Sequence, residues 1–155
     1  MIKRDLQFDI APELFPDIKG TSDSETCFYL ALTYGLENDP KAAFEKMIQR
    51  LEKAQIDAGL DIGLNLSCTA SDGQTLYTIR YASGNEAIKT QFYSTDMSCM
   101  KDLTNACTAL PDGGVILVSE PLDGLSGKWV KVPENSFLTA KNGKVSVTPL
   151  EIIRV

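Results

Sequence analysis

"FEKMIQRLEKAQIDAGLDIGLNLSCTASDG", residues 44–73, changes its hydrophobic period in the middle, and that change decides the fold class. Phe44, Met47, Ile48, Leu51 and Ala54 recur at the spacing of one helix face, while Glu45, Lys46, Arg50, Glu52 and Lys53 fall mainly on the other side. From Ile62 the period is two: Ile62, Leu64, Leu66, Cys68 and Ala70 alternate with Gly63, Asn65, Ser67, Thr69 and Ser71. An amphipathic helix ending near Gly59 is therefore followed by a strand with one buried and one polar face.

Upstream of this junction, Asn38-Asp39-Pro40 places a capping side chain directly before a proline at the first helical position. Further back, Ser22-Asp23-Ser24-Glu25 fits the S-x-x-E capping box, which satisfies the orphan amides of a helix start. Asp23 in the first turn also interacts favourably with the helix dipole, by some tenths of a kcal/mol. Cys27, Phe28, Ala31, Leu32 and Gly35 then suggest the packed stripe of a three-turn helix that stops at Gly35. Residues 1–20, with Pro12 and Pro16, read as irregular structure with a short turn of helix near Pro12 to Phe15.

Downstream, Asp72-Gly73 and Gly84-Asn85 separate the first strand from "TLYTIRYA" and "KTQFYST", which predicts a three-stranded antiparallel meander. The apolar run Val115 to Val118 predicts a strand covered on both faces. "KWVKVP", "SFLTA" and "KVSVTPL" read as further short strands, the last two joined by a type I′ turn at Asn142-Gly143. Two helices followed by at least six antiparallel strands define an α+β chain, expected to form a single domain over residues 1–155.

Composition narrows the functions. A net charge of −6 with scattered basic residues argues against a nucleic-acid partner, because such binding rests on clustered Lys and Arg. No apolar run reaches the length of a membrane helix, and "MIKRDLQFDI" lacks the apolar core of a signal peptide, so a soluble cytoplasmic protein is expected. Histidine is absent, which removes Ser-His and Cys-His nucleophile chemistry. Cys27, Cys68, Cys99 and Cys107 are widely spaced, so they indicate buried free thiols rather than a metal site, and no cofactor is expected.

"RDLQFDIAPELFPDIKGTSDSETCFYLALTYGLENDP" together with "VSEPLDGLSGKWVKVPENSF" resembles the second half of a class II glutamine amidotransferase, closest to the small stand-alone members. The likeness runs from about Lys3 to Leu150, and its most specific pieces are G-x-x-D-S-E, S-E-P-L and W-x-x-V-P in that order. The resemblance implies part of the four-layer αββα sandwich of N-terminal-nucleophile hydrolases. It also implies a reaction that releases ammonia from glutamine through a γ-glutamyl thioester, or hydrolysis of a related γ-glutamyl amide. In the family, the aspartate of this motif binds the α-ammonium of glutamine, which carries that role to Asp23. A carboxylate fixed at a helix start suits a primary ammonium, since the hydrogen bond between them is charge-assisted.

The family nucleophile is an N-terminal cysteine whose own amine acts as base, and here residue 2 is Ile2. The family arginine that holds the substrate carboxylate and its Asn-Gly oxyanion pair lie upstream of the segment matching Lys3. No catalytic residue is assigned, and the chain by itself is expected to be inactive. The alternative implied is a non-catalytic partner that completes an N-terminal-nucleophile sandwich with a second chain, or self-associates through unpaired strands. Asn142-Gly143 is read as a turn rather than a substitute oxyanion pair, Asn65 and Ser67 as surface residues, and Trp129 as a packing residue. Ser119-Glu120-Pro121, near the active site in the family, receives no chemical step.

Overall fold

The change of period after Asp57 coincides with a boundary between two compact units, Met1–Leu64 with Leu150–Val155, and Asn65–Pro149. The computed structural model describes residues 2–84, 89–95, 113–122 and 128–153. Among these residues there are three α-helices and seven strands, every strand pairing is antiparallel, and the class is α+β as expected.

In the first unit α1 (Ile2–Phe8), α2 (Asp23–Thr33) and α3 (Pro40–Asp57) pack against one another. The helix α1 corrects the reading of residues 1–20 as irregular and raises the helix count from two to three. Its seven residues bury only Leu6, too little to register as a period. It gains local support from Arg4, which lies 5.7 Å from the centre of the Phe8 ring one turn later. The short turn of helix falls at Phe15–Asp17, slightly later than expected.

Both long helices end in the same way. Gly35 (φ 94°) and Gly59 (φ 68°) adopt the left-handed conformation just past the last turn. Gly35 N–H donates to Leu32 O and Leu36 N–H to Ala31 O; Gly59 N–H donates to Ile56 O and Leu60 N–H to Gln55 O. Each pair closes a Schellman motif. On α3 the expected Phe44, Met47, Ile48, Leu51 and Ala54 are all buried. On α2 the buried face is Thr26, Leu30 and Ala31, while Phe28 is exposed. The expected stripe is therefore rotated: residues 27–32 are apolar all round, so their pattern does not select a face.

In the second unit β1 (Asn65–Ser71), β2 (Leu76–Ala82), β6 (Ser136–Lys141) and β7 (Lys144–Pro149) form one sheet in the order β1-β2-β6-β7. A second sheet has the order β4-β3-β5, from β3 (Phe92–Ser94), β4 (Ile116–Val118) and β5 (Val130–Lys131). The expected meander therefore holds only for the β1–β2 hairpin. The free side of β2 is taken by β6, and the "KTQFYST" segment joins the other sheet. β1 begins at Asn65 rather than Ile62, which is exposed, and residues 115–118 are half-buried instead of covered on both faces.

The two sheets meet at Val132, Leu138 and Ala140, against which Leu76, Tyr93, Val115, Leu117 and Val145 pack. Arg80 lies on the same sheet as β6, is only 2% exposed, and ties the connections together. Its Nε donates to Lys89 O (2.7 Å) and its NH1 to Val132 O (2.6 Å), while NH2 lies 3.6 Å from Glu134 Oε1. Asn142 and Gly143 both have positive φ, and Lys141 pairs with Lys144, as a two-residue type I′ turn requires. A Cβ added to Gly143 would lie 2.8 Å from Gly113 Cα, so two backbones touch there.

Replacing Arg80 with Met should strand two carbonyls at about 1–3 kcal/mol each. Urea unfolding should then show a loss of roughly 2–6 kcal/mol. A second test lies in the β1–β2 turn, where Asp72 accepts hydrogen bonds from Gln74 N–H (2.8 Å), Thr75 N–H (2.6 Å) and Tyr77 O–H (2.9 Å). These bonds hold its carboxyl below the usual carboxylate range. The folded-state value lies below the unfolded one, so the turn's contribution is present at neutral pH and is lost as pH falls below about 4. The Gln74 and Thr75 amide resonances should move in that window, and in Asp72→Asn they should not.

Candidate functional site

The first N–H groups of α2 have no acceptor within the helix, and the residue before it meets one of them. Ser22 is the N-cap, and its Oγ accepts from Glu25 N–H at 3.2 Å. Glu25 does not complete the capping box on Ser22. Its carboxylate reaches further back and accepts from Lys19 N–H (3.0 Å) and from Gly20 N–H (2.8 Å to Oε2). The chain must pass close to do this: a Cβ on Gly20 would lie 2.7 Å from Glu25 Oε2. Tyr29 O–H donates to Asp17 O at 2.9 Å and pins the other end of the loop to α2.

Asp23 is left out of this lock, with its side chain 92% exposed. Its one ion-pair partner among the described residues is Lys3, whose Nζ lies 3.7 Å from Oδ1 and also donates to Thr21 O. Lys3 is the residue that sequence reasoning missed, because it is carried by α1. The signal available was the Ile2 and Leu6 spacing of one helical turn. Chemically the pair is a carboxylate on a rigid helix start already matched with a primary ammonium.

The remaining candidates separate from this site. Cys27 and Cys68 are half-buried and in no disulfide, and burial pushes the Cys68 thiol above its ordinary value while Lys89 pulls the other way. It is therefore a poor nucleophile at neutral pH. Cys99 and Cys107 lie outside the described residues. Asn65 is not a plain surface residue: it is half-buried and its Oδ1 accepts from Lys89 N–H at 3.2 Å. Ser67 is exposed and Trp129 half-buried. Glu120, exposed, accepts from Thr90 Oγ1. Among the described residues no three ligating side chains gather as a metal site would need, and no helix is long and apolar enough to cross a membrane.

With this geometry in view, the chain is similar in structure to a glutamine aminotransferase class-II domain protein from Silicibacter pomeroyi. The two share 30% sequence identity and a TM-score of 0.81, over 97% of this chain and 61% of the other. The present chain thus spans 61% of that protein's length. No protein-family model and no curated protein matches the chain. The mixed α+β fold is the one it shares with this neighbour.

The lock and the exposed Asp23 carboxylate should respond differently to mutation. Ser22→Ala should cost about 1 kcal/mol of stability, and Glu25→Ala about 0.5–1.5 kcal/mol with faster hydrogen exchange at Lys19 and Gly20. Asp23→Ala should change stability by less than about 0.5 kcal/mol, since a surface ion pair contributes little. Chemical denaturation of the three variants measures the contrast.

Proposed function

We propose that the chain is part of a class II glutamine amidotransferase and that Asp23 receives the α-ammonium of glutamine or of a γ-glutamyl substrate. The observation that carries this reading is the 30% identity to the class II neighbour across 97% of the chain. The local physics supports it. Glu25 and Ser22 fix the loop, so Asp23 is presented without having to serve as the cap. The Lys3 ammonium, at 3.7 Å, occupies the place a substrate ammonium would take. Glutamine would displace it at small cost, because an exposed pair of this kind is worth about 0–1 kcal/mol.

Release of ammonia requires a nucleophile and an oxyanion hole, and neither is assigned to a residue of this chain. We assign those parts to polypeptide beyond the 61% of the neighbour that the chain spans. A second reading rests on the same coverage: the chain serves as a non-catalytic partner completing its sandwich with another polypeptide.

Titration of isotopically labelled protein with L-glutamine, and with the analogue lacking the α-amine, 4-carbamoylbutanoate, tests the Asp23 assignment. Glutamine should shift the amides of residues 22–25 and the analogue should not. Asp23→Asn should abolish the response, and Lys3→Met should tighten it by up to about fivefold. Equal shifts from both compounds, or an undiminished response in Asp23→Asn, would overturn the assignment.

A further inference from the structure

We propose that Asn142-Gly143 is a site of spontaneous covalent modification, at which the chain converts to aspartate and isoaspartate. The Gly143 backbone nitrogen attacks Asn142 Cγ, a new N–Cγ bond forms, and the Cγ–Nδ2 bond breaks. Ammonia leaves with the proton taken from the Gly143 N–H, and a five-membered succinimide remains. Water then adds to one of its two carbonyls, giving a normal aspartyl link or a β-linked isoaspartyl one. No oxidant, enzyme or cofactor enters the balance.

The turn supplies what this chemistry needs. It is the chain's only Asn-Gly pair, so no side chain on the following residue shields the attacking nitrogen. Asn142 is exposed, and neither its side chain nor the Gly143 N–H makes a hydrogen bond among the described residues. Lys141 and Lys144, both exposed, flank the pair, and their charges favour the anion that develops when the amide nitrogen loses its proton. Asn135 provides the contrast. It shares the left-handed backbone (φ 51°, against 49° at Asn142), yet its Oδ1 accepts from Ala82 N–H at 3.0 Å and its successor Ser136 is buried.

The product would not fit the turn. An isoaspartyl link adds one backbone atom to a two-residue loop whose flanking residues pair Lys141 with Lys144. The same backbone rests on Gly113, where a Cβ would already lie 3.3 Å from the Asn142 carbonyl carbon. Conversion therefore opens the end of the β6–β7 hairpin and adds a negative charge to a chain already at −6.

Incubation of the full chain at mildly alkaline pH, followed by cleavage after glutamate, yields residues 135–151 with both asparagines in one peptide. Fragmentation mass spectrometry should locate the amide-to-acid mass gain at Asn142 and not at Asn135, with isoaspartate in excess and a rate that rises with pH. The aged protein should unfold at lower urea than Asn142→Asp, which carries the charge without the β-linkage. Conversion at Asn142 no faster than at Asn135 would overturn the proposal, as would an aged protein that unfolds together with Asn142→Asp.

Discussion

A guanidinium withdrawn from water must find its hydrogen bonds inside the protein, and Arg80 finds them on carbonyls from two separate connections. Lys89 leads toward β3 and Val132 leads from β5 into β6, so a single side chain on β2 holds the entry to one sheet and the return to the other. The strands it serves are short, with three, three and two residues in the β4-β3-β5 sheet. Ladders of that length are marginal alone. Their placement depends on the polar tie of Arg80 and on the apolar contact of Tyr93 and Leu117 with Leu138 and Ala140.

A different division of labour governs the start of α2. Three contacts secure the helix start: Ser22 with the Glu25 amide, Glu25 with Lys19 and Gly20, Tyr29 with Asp17. Asp23 stands beside them and contributes little to the lock. A carboxylate whose backbone is fixed by its neighbours has less conformational freedom to lose on meeting a cation than one on a mobile loop. That property belongs to the loop around Asp23 more than to Asp23 itself.

Much of this was legible in the residues, and the limits were physical. The α3 face, the two glycine stops, the Ser22 cap and the Asn142-Gly143 turn each rest on one short-range rule, and each appears in place. The third strand of the meander could not be read from turns, because its partner β4 lies more than twenty residues downstream and nothing local encodes that choice. The rotated face of α2 was hidden by apolar residues on all sides, and α1 by its brevity. Asp23 was visible as a motif, while Lys3 came into view only once α1 had a direction.

The contact between Gly113 and Gly143 makes two positions thirty residues apart answer to one requirement. A Cβ on Gly143 would lie 2.8 Å from Gly113 Cα, one on Gly113 would press on the Asn142 carbonyl carbon at 3.3 Å, and both glycines have positive φ. The effects of changing them are consequently not additive: once either glycine is enlarged the contact is already broken, and the second change has less left to disrupt.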